Sequence, residues 1–156
     1  MTLRDKAVQH ALALVILLIP LFVGCSHTPA EATPEGAIRA WIEKMESASD
    51  DPSKMREAYE LLGPHARANL KERADRASRG QGRRFEPHEM LAEGRFGLAF
   101  RPKSMKARIV SDEARVEVRG ESPDERAEVH CVRESGSWHI EPELPAVPLP
   151  IRRGEL

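Results

Sequence analysis

The 156-residue sequence is poor in aromatic side chains and in cysteine, and it has no large excess of charge of either sign. Aromatic residues make up only 4% of the chain, so few large side chains are available for a core. Two cysteines exclude the dense disulfide framework of many small secreted domains. The 24 basic residues nearly balance the 25 acidic ones, which argues against a dedicated nucleic-acid binder. A chain of this length has room for a single domain.

Residues 1–24 have the features of an export signal. Arg4 and Lys6 precede an uncharged run from Ala11 to Gly24. The 14 residues of this run would span about 21 Å as a helix, short of the roughly 30 Å hydrocarbon core of a bilayer. A positive start followed by a short apolar segment is typical of a secretory signal peptide.

The segment ends in the run Leu21-Phe22-Val23-Gly24-Cys25. This run resembles the lipobox of bacterial lipoproteins, in which a small residue precedes a cysteine that is lipidated before cleavage; Phe22 replaces the usual leucine. The resemblance implies lipid attachment at Cys25, with acyl chains such as palmitate as the membrane anchor. Two alternatives are a buried cysteine that ends an apolar helix, and ordinary cleavage after Ala30-Glu31-Ala32.

The rest of the chain divides into a polar tether at 25–32, a domain at 33–143 and a proline-rich tail at 144–156. Apolar residues of the domain first recur at helical spacing. Capping residues and glycines place four helices: Thr33-Pro34 to about Ser47, Asp51-Pro52 to Gly63-Pro64, about His65 to Ala77 before Gly80-Gln81-Gly82, and a short helix opening at Pro87.

After Gly94 the apolar residues alternate with polar ones, which predicts four half-buried antiparallel strands. Helices followed by strands predict an α+β fold in which N-terminal helices pack on a curved meander. We expect Trp41, Tyr59 and Trp138 to share one core. The residues expected to face it from the strands are Met105, Ala107 and Ile109; Ala114, Val116 and Val118; Ala127, Val129 and Cys131; and Trp138 and Ile140.

The helical start TPEGAIRAWI and the terminal hairpin SGSWHIEPEL, following a lipobox, resemble small bacterial lipoproteins with a nuclear-transport-factor-two-like, cystatin-like domain. The resemblance covers about residues 33–143. It implies a cone in which helices pack inside a curved sheet. Members of the family include enzymes, binding domains and proteins of unknown role, so the fold does not supply the function.

No metal or cofactor site is predicted. His88-Glu89 begins a zinc-protease motif, but Ala92 replaces its second histidine. His130 and His139 are expected near each other on the outer sheet face, and two imidazoles alone do not make a structural zinc site.

No catalytic residue is predicted either. Cys131 lies on an apolar stripe, where a thiol is usually a small core residue. Tyr59, the one tyrosine, also lies on a helical apolar stripe, whereas a ketosteroid-isomerase-like site would need it beside a pocket carboxylate.

Two surface features remain. The segment from Arg67 to Arg84 has seven bases against two acids, and is either a solvated helix face or a contact for an anionic surface. The tail contains P-x-x-P twice, and is either a disordered end, a segment packed over the sheet or a partner motif. The four bases assigned to the anionic contact are Arg76, Arg79, Arg83 and Arg84.

The sequence therefore predicts a lipid-anchored protein of the bacterial cell envelope, facing the periplasm from the inner or the outer membrane. Its domain is expected to be a non-enzymatic binding or assembly module without a cofactor. The partners expected are the membrane, an unknown protein, and anionic lipid, lipopolysaccharide or cell-wall polymer, but not nucleic acid. The alternative is a small-ligand binder or an enzyme that uses the interior of the cone.

Overall fold

The computed structural model describes residues 29–93 and 98–147, and within them helices precede an antiparallel sheet, which confirms the α+β class. The helices are α1 (Pro34–Ser47), α2 (Ser53–Glu60), α3 (Pro64–Gln81) and α4 (Met90–Glu93), the last preceded by a 3₁₀ turn at Pro87–Glu89. The strands are β1 (Ser104–Val110), β2 (Glu113–Arg119), β3 (Arg126–Glu134) and β4 (Ser137–Ile140), in the order β1-β2-β3-β4.

The helix ends follow local chemistry. The Thr33 hydroxyl accepts a hydrogen bond from the Gly36 N–H at 3.0 Å, which confirms the predicted start of α1. The predicted end of α3 near Ala77 is wrong, because the helix continues through Gly80 to Gln81. It stops at Gly82, whose φ of +71° lies in the left-handed region that ends helices.

Both ends of the domain extend beyond their predicted bounds. Ala30–Ala32, placed in the tether by the sequence, forms a 3₁₀ turn against α1 and β4. At the other end, Leu144 packs against the core. The Pro145 carbonyl accepts hydrogen bonds from Asn69 Nδ2 at 3.2 Å and Arg73 Nη2 at 2.6 Å. The first residues of the tail are therefore part of the domain.

The strands alternate as predicted except at the end of β1. Ala114, Val116 and Val118 of β2 are all buried. Ile109 lies opposite the buried Ala114, on the inner face as predicted, but it is 49% exposed, so its expected burial is wrong. β1 is an edge strand whose main contact besides β2 is α1, so its far end receives little cover.

The core is a single apolar cluster between the helices and one face of the sheet. Trp41 and Trp138 are buried in it, and Tyr59 packs against it half-buried, so the predicted aromatic core is confirmed. The Arg133 guanidinium lies 4.5 Å from the centre of the Trp138 ring and covers it at the sheet surface.

The predicted signal peptide, the lipidation site Cys25 and the tail prolines Pro148 and Pro150 lie outside the described residues. Among residues 29–93 and 98–147, no helix is both long and apolar enough to cross a bilayer.

Candidate functional site

Half of β3 has an open edge. β4 is short and pairs only with Cys131–Glu134, and the backbone of Glu141 continues beside His130, so residues 126–129 of β3 have no strand beside them on that side. The His130 carbonyl faces this edge, because it accepts a hydrogen bond from the Glu141 N–H at 2.8 Å just beyond β4. Since backbone groups alternate in direction along a strand, the N–H groups of Glu128 and His130 face the same edge.

Other stretches of sheet edge are covered. The link Leu61–Gly63 runs along β4, where the Ile140 N–H donates to the Leu61 carbonyl at 2.8 Å. On the opposite side of the sheet, the Glu35 carboxylate accepts from the Ala107 N–H of β1 at 2.9 Å. Covering an edge in this way prevents unwanted strand pairing.

A groove of about 290 Å³ lies below the open edge, between α1 and the start of the tail. Apolar side chains of the groove come from helix α1, from the sheet and from the segment before β1. They are Ile38, Trp41, Ile42, Leu98, Val129 and Ile140. The remaining lining residues are Arg115, Glu128, His130, Glu141, Pro142 and Glu143. An apolar groove beside a free strand N–H group suits an extended chain.

Most of the polar side chains that line the groove are paired with neighbouring side chains of opposite charge. Arg115 Nη1 pairs with Glu128 Oε1 at 2.6 Å, and His130 Nε2 lies 3.7 Å from Glu113 Oε2. One group is left over: the indole N–H of Trp41 is buried and has no hydrogen-bond partner among the described residues. Such a donor is costly unless something accepts from it.

Glu141 is the buried acid of the domain, with 9% of the residue exposed. Its carboxylate accepts from the Ala66 N–H at 2.6 Å and from the His65 N–H at 3.2 Å, both at the start of α3. Gly63, the residue before the helix, provides no side-chain cap. Glu141 therefore caps α3 from a distant part of the chain, which is a structural task.

The four bases predicted to contact an anionic surface are mostly engaged locally. Arg76 pairs with Glu72 at 2.5 Å and is half-buried, so little of its charge is open to an outside surface. Arg83 pairs with Glu89 at 3.1 Å and stacks on Phe85, and Arg84 pairs with Glu86 at 3.3 Å. Arg79 is exposed and forms no ion pair with a described residue.

The candidate metal ligands do not form a site. The strand register places Val132 opposite His139, so His130 is only a diagonal neighbour of His139. The carboxylate of Glu89, in the truncated zinc-protease motif, accepts a hydrogen bond from the Glu86 N–H at 2.6 Å. In the part of the chain that the structure describes, no group of three or more His, Cys, Asp and Glu could hold a metal ion.

The candidate catalytic side chains belong to the core. Cys131 is buried, and desolvation raises the pKa of its thiol to about 12, so it is protonated at neutral pH. Burial likewise raises the pKa of Tyr59. Neither is poised as a nucleophile or a base.

The sequence prediction missed both Glu141 and the open edge of β3. A signal for Glu141 exists: α3 begins at Gly63-Pro64 with no serine, threonine or aspartate to cap it, so an acceptor had to come from elsewhere. The open edge has a signal too, since β4 is limited to four residues before Pro142 whereas β3 has nine.

Searches of protein-family models, of curated proteins and of solved structures find no match to this chain, so no relative supplies its function.

Proposed function

We propose that this chain is a lipid-anchored protein of the bacterial envelope whose α+β domain binds an extended segment of another protein. The run ending in Cys25 supports the anchor. The open edge at residues 126–129 supports the binding, because the N–H of Glu128 faces this edge and has no strand to pair with. The proposal involves no catalysis and no cofactor.

The groove favours a particular kind of segment. Its apolar floor, formed by residues such as Ile38 and Trp41, would accept one or two aliphatic side chains. Its rim carries Glu128 and Glu143 against Arg115, and because Arg115 pairs with Glu128, the exposed Glu143 leaves an excess of negative charge. The expected segment is therefore an extended strand in which apolar residues alternate with basic ones.

The test uses the anchored protein in detergent and synthetic peptides of alternating valine and lysine. Binding should slow amide hydrogen exchange at Glu128 and shift the indole N–H resonance of Trp41. A peptide in which glutamate replaces lysine should bind more weakly, because the rim is acidic. If peptide binding leaves exchange at the Glu128 amide unchanged, strand addition at β3 is wrong.

Proline variants locate the edge that is used. Glu128→Pro removes an N–H that faces the open edge, whereas Glu128→Ala keeps it, and both lose the ion pair with Arg115. We expect the proline variant to bind about tenfold more weakly than the alanine variant, because one hydrogen bond and access to the edge are lost.

Ile109→Pro is the matched variant on the other edge, since the Ile109 N–H faces away from β2 in the same direction as that of Ala107. It should leave binding unchanged. Loss of binding in Ile109→Pro but not in Glu128→Pro would place the segment on β1 and contradict the proposal.

A small-ligand-binding protein is the second candidate, and one observation favours it. The buried indole N–H of Trp41 has no hydrogen-bond acceptor among the described residues, and an oxygen atom of a ligand could serve as one. The volume of the groove, about 290 Å³, is at the lower limit for ligand sites, which is roughly 300–1,000 Å³. Mass spectrometry of solvent extracts of the purified protein distinguishes the two: a compound present at one equivalent supports this candidate.

A further inference from the structure

The solvent face of the sheet, opposite the helices, is rich in basic side chains. Alternation along β1, β2 and β3 places polar residues on this face, and cations outnumber anions. The bases are Lys106, Arg108, Arg115, Arg119 and Arg126, and the acids are Glu113, Glu117, Glu128 and Glu134, the last of which pairs with Arg67 of α3. We call this surface the cationic sheet face.

The strand register brings like charges together on the cationic sheet face. Arg108 lies directly opposite Arg115, and Arg119 lies directly opposite Arg126. Directly opposed residues have Cβ atoms about 4.5–5.5 Å apart, where like charges destabilise the sheet. A bound anion between the strands would relieve this repulsion.

Three of the bases are available to an outside anion. Arg115 pairs with Glu128 and Arg119 with Glu117, each at 2.6 Å. Lys106, Arg108 and Arg126 are exposed and form no ion pair with any described residue. All three line a shallow concavity of about 460 Å³ on this face.

An exposed apolar residue lies at one end of the same face. Val110 is 69% exposed, lies directly opposite Glu113 and follows Arg108 on the same side of β1, just before the turn to β2. Basic residues beside exposed aliphatic ones are typical of a surface that binds lipid, because the aliphatic groups enter the interface while the bases meet the headgroups. A soluble polyanion would not need Val110.

We propose that the cationic sheet face docks on anionic phospholipid headgroups of the membrane that holds the lipid anchor. The inference rests on the proposed anchor at Cys25. The four residues that follow Cys25 and end at Pro29, the first described residue, reach at most about 14 Å, so the domain stays near the headgroups. The docking would fix the orientation of the domain on its membrane.

The experiment compares the labelling of two lysines in the full lipidated chain, reconstituted into vesicles. A water-soluble acetylating reagent modifies exposed amines, and mass spectrometry reads each site. Lys106 reports on the cationic sheet face, and Lys71 reports on the basic segment of α3. The vesicles are phosphatidylcholine alone or phosphatidylcholine with phosphatidylglycerol.

On vesicles with phosphatidylglycerol, Lys106 should be acetylated at least about fivefold more slowly than on vesicles of phosphatidylcholine alone. One basic residue near an anionic membrane contributes about this factor to the binding constant. Lys71 should react equally on both. The protection of Lys106 should disappear at ~0.5 M salt, where screening shortens the reach of the charges. Equal labelling of Lys106 on both vesicles, or protection of Lys71 instead, would overturn the proposal.

Matched variants separate this face from net charge. Arg108→Gln with Arg126→Gln removes two charges from the cationic sheet face, and Arg79→Gln with Arg84→Gln removes two from the end of α3. Only the first pair should abolish the protection of Lys106, and Val110→Ser should weaken it. If both pairs act equally, the effect is one of net charge and the proposal is wrong.

Sedimentation with phosphatidylcholine vesicles tests separately whether the chain carries a lipid anchor. A chain that fails to sediment lacks the anchor, which contradicts the proposed function. A chain that sediments without protection of Lys106 contradicts only the docking. Soluble inorganic polyphosphate serves as a competitor, at the same phosphate concentration as the lipid. It should not restore the labelling of Lys106 on vesicles with phosphatidylglycerol. Full restoration would mean that the cationic sheet face binds polyphosphates rather than a membrane.

Discussion

Removing the carboxylate of Glu141 should destabilise the domain although this residue lies at the end of the last strand. Glu141→Ala leaves the N–H groups of His65 and Ala66 without their acceptor at the start of α3. Pro64 has no N–H, and the Arg67 N–H is already bound to the Gly63 carbonyl. The carboxylate therefore satisfies the remaining N–H donors in the first turn of α3.

The expected loss follows from these two bonds. A lost helix cap costs about 1 kcal/mol, and burying unsatisfied donors raises this by about 1–3 kcal/mol. The negative charge also interacts favourably with the helix dipole, by up to ~2 kcal/mol at partly buried positions. Together these figures give about 2–6 kcal/mol for Glu141→Ala. Glu141→Gln keeps one acceptor oxygen and the shape, so it should cost about half as much.

Urea unfolding followed by circular dichroism and by tryptophan fluorescence measures both variants. Glu143→Ala is the matched control, because this residue is exposed and two positions away; it should change the free energy of unfolding by less than ~0.5 kcal/mol. The capping role is refuted if Glu141→Ala and Glu143→Ala are equally stable, or if the glutamine variant is as unstable as the alanine variant.

Three further predictions concern the core and the anchor. Trp138→Ala should cost about 3–5 kcal/mol, since the residue is 1% exposed, and a loss below ~1 kcal/mol in the same urea titration would contradict its burial. Because burial raises the pKa of Cys131 to about 12, the thiol should resist a disulfide reagent in the native state and react on unfolding. The stability that the domain gains from burying the neutral thiol is complete below about pH 9 and disappears as the pH rises towards 12. Rapid native labelling at pH 8 would contradict this. Cys25→Ser should release the protein from membranes or leave an uncleaved precursor, and an unmodified mature N-terminus at Thr33 in mass spectrometry of the natural chain would exclude lipidation.

The elements that could be predicted are those whose signal is local. Thr33-Pro34 specifies the start of α1 because the hydroxyl of one residue reaches an N–H three positions on. The β3–β4 turn is equally local, since Ser135 and Gly136 both have positive φ, of 53° and 88°, as a two-residue hairpin turn requires. Alternation along β2 placed its buried residues correctly because both neighbouring strands and the helices fix its faces.

The parts that could not be predicted depend on contacts between distant residues. Ile109 has the same alternating pattern as the buried residues of β2, but helical cover at that end of β1 is a property of the packed domain. The acidic partners of Arg83 and Arg84 are close in sequence, yet their pairing depends on how the chain turns before α4. A count of bases between Arg67 and Arg84 therefore overstated the charge available to a partner.

The groove and the cationic sheet face meet at one ion pair, because Arg115 and Glu128 line both of them. A strand added beside Glu128 would extend the sheet on the side of β3, and its outward side chains would join the cationic sheet face. A segment with basic residues would add to the charge that meets the headgroups, whereas an acidic one would reduce it. The two proposals together predict that partner binding and membrane docking are coupled through the sheet, and thermodynamic linkage would then require each to strengthen or weaken the other by the same factor. The sign of this coupling depends on the charge of the added strand, which is why the basic peptide favoured by the acidic rim of the groove should also favour docking.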